Sequence, residues 1–455
     1  MEKEKQERED VATKFLDAIR SQLPRLLASL DKIKDFRNPK KIKHQLDLVL
    51  FYGILCFALQ MASRREANRE LTGPVLREHL QQLFPQLESL PHQDTVNRIL
   101  SDIDVQTIED SHLEMIRRLV RNKKFARWLI DGRYPLGVDG TQKAVRRDQV
   151  SEQWLQRRLN ADTDKETTQY YVYVLEACLC FSNGLRLPLM SEFLNYAEGD
   201  VDNGKQDCET KAFKRLAARL KTEFPKLPIL LLLDGLYPNG PMFQICRDHN
   251  WQFMIVLQDK SLPSVWEEYY ALRKLEPNQR FQRTWGNRKQ SFQWANRIEY
   301  RYGPNSRHKQ VLHVVVCEET WREVDEDGDI VDKKSRHAWI SSEPLTADNL
   351  HERCNLAARN RWGIESNILV EKRQGYQYEH LFSHNWSAMR GYHYLMHIAH
   401  ALCALATHSE MLAKLVASKG IRPTILFIRQ TLTAPWVEPK NLLARLHPNP
   451  QLRLA

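Results

Sequence analysis

The sequence predicts an α/β protein in which a strand-rich centre lies between two helical regions. Three observations carry this reading. Apolar residues recur at helical spacing from residue 10 to about 125, short apolar runs bounded by turn residues begin near residue 134, and helical periodicity returns from Ala347. With 455 residues the chain has room for about three domains at roughly 150 residues each, and 42% hydrophobic content suffices for a sizeable core.

In the first region Phe15, Leu16 and Ile19 share a helix face, as do Leu113, Ile116 and Val120, with Gly73-Pro74 and Pro91 punctuating between segments. Asp94 to Leu100 reads as a short helix, either a recognition helix of a helix-turn-helix or an ordinary bundle helix. Lys40-Lys41-Ile42-Lys43-His44 is basic enough to touch phosphate and equally suits a solvated helix start. The longest apolar run, Leu48 to Leu59, is too short for a bilayer and suits a buried helix.

The central region opens with Pro135-Leu-Gly-Val-Asp139, an apolar run ending in an acid. Tyr170–Phe181 and Leu185–Met190 read as strands joined at Asn183-Gly184, a hairpin turn pair. A helix over 204–223 follows, then Pro228-Ile-Leu-Leu-Leu-Leu-Asp234, a buried strand again ending in an acid. A short helix near 240–248 and a strand from Phe253 to Leu257 complete the series. Three antiparallel strands, then helix, strand, helix, strand is the element order of a ribonuclease-H-like fold. Residues 258–345 alternate strand-like runs with charged turns, a β-rich insertion, before a helix runs from Ala347 to about Lys372 and helical pattern resumes over 385–417. The predicted division is therefore a helical domain over 1–128, a ribonuclease-H-like core over 129–257 and 346–384, the insertion over 258–345, and a helical tail over 385–455.

Charge narrows the function. The net charge of +10 and pI near 9.1 favour a polyanionic partner, nucleic acid before membrane. The start is charged and lacks a signal peptide's apolar stretch, and the eight cysteines form no C-x-x-C pair. Cys178 and Cys180 share a strand face. A reduced, cytoplasmic protein without structural metal is expected.

Asp139 and Asp234 each end an apolar strand, where adjacent carboxyl edges can bring two acids together. Such acids can hold paired Mg²⁺ ions for phosphoryl transfer. Asp131-Gly132 imitates Asp139-Gly140 but follows a helix-like run. The third acid is Glu365: on a helix Arg361 lies about 40° from it and Lys372 about 20° on the other side, so one face presents an acid between two cations. That face suits a metal ligand beside DNA phosphates, and equally an i,i+4 ion pair.

These residues resemble the DDE transposases of bacterial insertion sequences, in the type-four group marked by the signature Y-x2-R-x3-E-x6-K. Arg361, Glu365 and Lys372 match its spacing, while Ala358 stands where the signature has tyrosine. The family's tyrosine helps hold a DNA phosphate, and Tyr376 or Tyr378 is the candidate to take its place. Val138-Asp139-Gly140, Leu231-Leu-Leu-Asp234-Gly235, the insertion between second and third acids, and Trp339-Ile-Ser-Ser-Glu-Pro344 agree with the group. The resemblance covers roughly 130–400.

It implies metal-dependent cleavage at transposon ends and strand transfer into target DNA. Asp139, Asp234 and Glu365 would bind two Mg²⁺ ions, for which Mn²⁺ can substitute, and Arg361 and Lys372 would hold phosphate. The implied partners are terminal inverted repeats, target DNA and a second copy of the chain. A family tryptophan stacks on a base flipped from the transposon end, and Trp339 is the first candidate for that role, Trp285 the second. Arg288 and Lys289 beside Trp285 supply cations for the same DNA. Two other readings share these residues: a structure-specific nuclease on the same fold, and a DNA-binding regulator descended from a transposase.

Two patterns are set aside. Asp325, Asp327 and Asp329 imitate a calcium loop, but Ile330 and Arg336 stand where Gly and Glu are needed. His393, His397 and His400 share helical spacing without an H-E-x-x-H pattern, and are read as histidines without metal. In the tail, Tyr392, Leu395, Ile398, Leu402 and Leu405 form an apolar stripe, either a dimer surface or a face packed on its own chain.

Overall fold

Helix α3 (Leu46–Ala58) is apolar on every side, with eleven of its thirteen residues buried, so something must cover it all round. The computed structural model, which describes residues 2–161, 163–199, 206–325 and 328–433, shows what does so. One side meets the helices near it in sequence, α2 (Leu23–Leu30) and α6 (Gln93–Asp102). The other meets α12 (Trp386–Thr407), more than three hundred residues away. The start of the chain, α1 (Glu2–Ile19), packs on α12 and on α14 (Ile421–Thr433), so both helical regions contribute to one core. Short helices α4 (Arg64–Glu70) and α5 (Pro74–Gln81) complete the N-terminal helices up to α7 (Gln106–Arg121). Among the described residues, no helix is long and apolar enough to cross a membrane.

The apolar stripe of the tail is buried in this arrangement. Tyr392, Leu395, Ile398, Leu402 and Leu405 are at most 3% exposed, packed within their own chain, so the stripe offers no dimer surface. The segment Asp94–Leu100 lies in α6, capped by His92 rather than by an acid, and buries Val96, Ile99 and Leu100 against α12, α3 and α4. Asp94 and Arg98 remain on its exposed side.

The strands form one mixed sheet of ten. Its order is β2-β3-β1-β5-β6-β10-β9-β8-β7, with β4 also on β3. Strand β1 (Tyr134–Arg146) runs antiparallel to β3 (Thr167–Cys180) and parallel to β5 (Ile229–Leu233), which is parallel to β6 (Gln252–Val256). Strand β2 (Leu155–Leu159) pairs with the start of β3, and β4 (Arg186–Phe193) with its end, across the expected hairpin. Helices α8 (Glu209–Glu223) and α9 (Gly240–His249) follow β4 and β5 as the apolar pattern predicts.

The segment between the second and third acids begins with α10 (Pro263–Leu275) and continues as strands β7 (Arg280–Trp285), β8 (Arg288–Tyr302), β9 (His308–Val324) and β10 (Ile330–Ser341). It does not form a separate sheet. Strand β10 pairs antiparallel with β6, extending the central sheet, because Trp339, Ile340 and Ser341 meet Val256, Ile255 and Met254 in register. Gly286-Asn287 forms the turn between β7 and β8. The Asp325 turn joins β9 and β10, with the Asp325 carboxylate accepting from the Asp329 amide at 2.8 Å; Asp327 lies outside the described residues.

The helix expected from Ala347 to Lys372 is three pieces. A π-helical stretch His351–Ala357 and a 3₁₀ turn Ala358–Arg361 precede the α-helix α11 (Trp362–Arg373). The change of pitch lets buried Arg353 reach Ser341 and Gln252, both at 3.1 Å, while α11 re-aims onto β1, β3 and β4.

Candidate active site

Parallel pairing of β1 with β5 runs from Tyr134↔Ile229 to Gly137↔Leu232. Asp139 and Asp234 each stand two residues past that last pair, so the same register that buries the aliphatics brings the two acids out side by side. Asp234 follows the end of its strand, as its sequence predicts. Asp139 does not. It lies in the middle of β1, which continues to Arg146 paired with β3 alone, because β3 is long enough to satisfy its backbone beyond the end of β5.

Helix α11 lies over this point. A Cβ at Gly137 would stand 3.1 Å from Ile364, and Cys178 and Cys180 of β3 pack with Ile364 and Ile368 in a small apolar cluster. Since strand residues two apart share a face, Asp139 rises on the α11 side, beside Glu365 in the helix's first turn. The electrostatics agree. Burial pushes the Asp139 carboxyl up to about 6, the negative charges of Glu365 and Asp234 push in the same direction, and the Gly140 amide and Arg361 oppose them only in part. Three carboxylates that repel one another in a partly buried place are a donor set for hard divalent cations.

Arg361 keeps its predicted relation to Glu365, with Nη1 2.7 Å from Oε1, although it belongs to the 3₁₀ turn rather than to α11. Its side chain is largely buried and its Nε lacks a hydrogen-bond partner. Lys372, two helical turns along, is held by Glu379 at 2.9 Å instead of facing Glu365 directly. Ala358 is buried. Tyr376 and Tyr378 cannot take the place of the signature tyrosine, since both are buried: Tyr378 donates to Glu176 at 2.6 Å and Tyr376 packs on the His400 ring.

On the opposite face Gly140 explains part of the Asp-Gly pairing. A Cβ there would lie 2.5 Å from the Tyr173 ring, whereas one at Gly235 would meet the movable side chain of Gln258. Tyr173 and Tyr237 both donate to Glu209, at 3.2 and 2.6 Å, and burial and the Glu209 charge raise both phenols, with the Asp139 and Asp234 charges adding to the push. The sequence reading missed these three residues. The one local signal was Gly140 after the first acid, where Tyr173 presses on the backbone.

The aromatic and basic residues gather beside the carboxylates. A cavity of about 720 Å³ is walled by Trp285, Trp339, Trp362, Arg288, Arg336, Arg359 and Arg361. Trp339 forms part of its floor but is only 3% exposed, stacked on His337 at 5.5 Å and packed in a core with Trp294 and Met254. Trp285 is half-buried and Trp362 is 63% exposed. Arg359 lies over both Trp285 and Trp339, 5.5 and 5.7 Å from the ring centres. Arg288 is bound to buried Glu319 at 2.9 Å and stacks on Trp321, while Lys289 is exposed. Arg359 and Trp362 were not singled out from sequence, because the break in pitch at Ala358 sets their direction, and Arg336 reaches the cavity from β10.

At the other end of the chain, Lys40, Lys41 and Lys43 are exposed on a turn before α3. Residues 27–116, spanning α2 to α7, match the family model described as DDE_Tnp_1-associated. A comparison with curated proteins finds no match. The family match indicates a DDE-type transposase relationship and a transposase-related function.

Proposed function

We propose that this chain is a cut-and-paste DNA transposase of a bacterial insertion sequence, of the type-four group with the Tyr-Arg-Glu-Lys signature. Asp139, Asp234 and Glu365 are its catalytic carboxylates. The observation that carries the reading is that Asp139 and Asp234 each stand two residues past the last β1–β5 pair, under the helix whose first turn bears Glu365, with burial and the charges of Glu365 and Asp234 all pushing the Asp139 carboxyl up. The order β4-β3-β1-β5-β6 supports a ribonuclease-H-like core, with 258–345 as its insertion and residues 1–128 as the DNA-binding part.

The three carboxylates fit a pair of Mg²⁺ ions, with Mn²⁺ as a substitute, since their mutual repulsion is what a dication relieves. When bound, the two ions supply Lewis acidity toward the attacking and departing oxygens of a phosphodiester. Glu365, now paired with Arg361 at 2.7 Å, would be the third residue to hold the ions, and Arg361 would then be available to a phosphate oxygen. Lys372 and Lys289 neutralise the backbone further along. Water attacks phosphorus at the transposon end and the P–O3′ bond breaks, leaving a 3′-hydroxyl. That hydroxyl attacks a target phosphodiester, forming the new bond as the target's own P–O3′ bond breaks. Trp285 and Trp362, rimmed by Arg359 and Arg288, receive an unpaired base of the end, and Trp339 forms the floor beneath it. Two ends must meet, so a dimer on paired ends is the minimal assembly. Its interface lies away from the buried α12 stripe. The protein acts in the bacterial cytoplasm, on the nucleoid.

The test uses the full chain with DNA bearing the element's inverted repeats. Asp139→Ala, Asp234→Ala and Glu365→Ala each abolish Mg²⁺-dependent cleavage and keep end binding. Substantial cleavage by Glu365→Ala removes it as the third ligand. Cleavage without joining by the wild type identifies a nuclease, and end binding without cleavage a regulator.

A further inference from the structure

The three histidines set aside in the sequence sit in a second polar cluster that the proposed reaction does not use. His393, His397 and His400 line one side of α12, and the carboxylates absent from their own helix come from elsewhere: Glu176 from β3 and Glu371 from α11. All five are buried, with Glu176, His393, His397 and Glu371 at most 3% exposed at the side chain.

The direct separations of His393 and His397 from the two glutamates are longer than hydrogen bonds, while the Ser191 hydroxyl lies among the groups, 2.6 Å from Glu176 Oε2, 2.8 Å from His393 Nε2 and 3.4 Å from His397 Nδ1. His393 Nε2 is 3.4 Å from Glu176 Oε1. His397 Nε2 is 3.8 Å from Glu176 Oε2 and 3.7 Å from Glu371 Oε1. One donor atom from each of Glu176, His393 and His397 lies within 4.8 Å of the others. Two ligands each about 2.0–2.2 Å from one four-coordinate ion stand roughly 3.3–3.6 Å apart. Contraction of the Glu176, His393 and His397 donors, with release of His393 Nε2 from Ser191, would close that part of the set, and Glu371 stands beside His397 to complete it. The bonding inventory points the same way: His397 Nε2 and Glu371 Oε2 are buried, lack hydrogen-bond partners and belong to this cluster. The surrounding groups orient the donors. Tyr378 and Ser191 donate to the two oxygens of Glu176, both at 2.6 Å, Lys143 reaches His393 Nδ1 at 3.4 Å, and His400 Nδ1 meets Glu371 at 2.7 Å.

The geometry points to a structural divalent-metal site, of the zinc class, formed by Glu176, His393 and His397 with Glu371 as the fourth ligand. Two imidazoles and two carboxylates suit zinc. Mg²⁺ prefers oxygen donors and keeps its waters, for which this closed interior is unsuited. Such an ion would tie β3, α11 and α12 together, and its binding free energy would become folding free energy. The site stands independently of the reaction proposed above.

The experiment uses tag-free, full-length Asp139→Asn/Asp234→Asn protein, so that the other carboxylate site contributes no metal. Elemental analysis after dialysis against EDTA is expected to find about one zinc per chain. Replacement by Co²⁺ should give the visible bands of a four-coordinate ion with nitrogen and oxygen ligands. His393→Gln/His397→Gln in the same background should lose the metal while keeping its circular dichroism, since glutamine preserves hydrogen bonding. Should that variant not fold, zinc content and the cobalt spectrum of the parent decide. A folded parent with only a trace of metal, and a melting temperature that neither Zn²⁺ nor chelator moves, overturns the site and shows that protons close the network.

Discussion

Two carboxylate clusters lie close together in this protein and are built in opposite ways. Asp139 and Glu176 are direct cross-strand partners on β1 and β3, and α11 supplies Glu365 to one cluster and Glu371 to the other. In the outer cluster Arg361 offsets the acids only in part, so burial and the charges of Glu365 and Asp234 push Asp139 up to about 6. The inner cluster surrounds its acids with imidazole, hydroxyl and ammonium groups. Burial there would raise Glu371, but the charge of His397 beside it and the bond with His400 hold it low. Asp139 and Glu176 face the same way on neighbouring strands and burial raises both, but Glu176 is opposed by His397 and by bonds from Ser191 and Tyr378, whereas Asp139 is opposed only in part by the Gly140 amide and Arg361. Repulsion held in place marks a site that waits for a partner, while compensation marks one that fixes the frame.

The largest expected effect is on the inner cluster. Glu371→Ala removes the acid that faces His397 and bonds His400, and should cost about 3–5 kcal/mol, because its buried partners are left uncompensated. Glu365→Ala, with its side chain 48% exposed, should leave stability nearly unchanged. Denaturant unfolding of the two variants checks this, and equal losses would erase the distinction between the clusters.

Trp339→Ala should lose about 3–5 kcal/mol as a core truncation, against roughly 1 kcal/mol or less for half-buried Trp285→Ala. The order should reverse on DNA, with Trp285→Ala showing the larger defect on paired ends and a smaller one on ends supplied unpaired. A Trp339→Ala protein that melts like the wild type would mean the ring is not part of the core.

Asp139→Asn should stabilise the metal-free protein by up to about 3 kcal/mol at neutral pH. The sign follows from linkage. A carboxyl raised in the folded state holds its proton more tightly there than in the unfolded chain, so the wild type loses stability as pH climbs from about 4 to about 6 and stays at that lower level above. The advantage of the Asp139→Asn variant should therefore fade below about pH 4 and shrink when Mg²⁺ is added. Thermal melts across pH, with and without Mg²⁺, read both parts, and a destabilised Asp139→Asn at pH 8 would refute the repulsion.

The smallest effect on stability is expected at Lys372, whose pair with Glu379 is partly exposed. Lys372→Ala should cost about 0–1 kcal/mol yet lower the salt slope of end binding by about one. An unchanged slope would assign the lysine to Glu379 alone.

The periodic and local features of this protein were legible in its amino acids alone. The apolar run Ile229–Leu233 before Asp234 sets a buried strand, Asn183-Gly184 and Gly286-Asn287 set hairpins, and Arg361 and Glu365 stand one helical turn apart whether the turn is α or 3₁₀. These depend on neighbours within a few residues, and composition shows them. What covers each face was settled only by the folded arrangement. It buried the α12 stripe under α3, sank Tyr376 and Tyr378 away from solvent, and joined β10 to β6 instead of leaving the insertion apart. It also gave His393 and His397 carboxylates from β3 and α11, which no spacing on their own helix could reveal. One cause is common to all of these. Side-chain periodicity says which face is apolar or charged, but the partner of that face is chosen by contacts between segments far apart in the chain, in the case of α3 and α12 hundreds of residues apart.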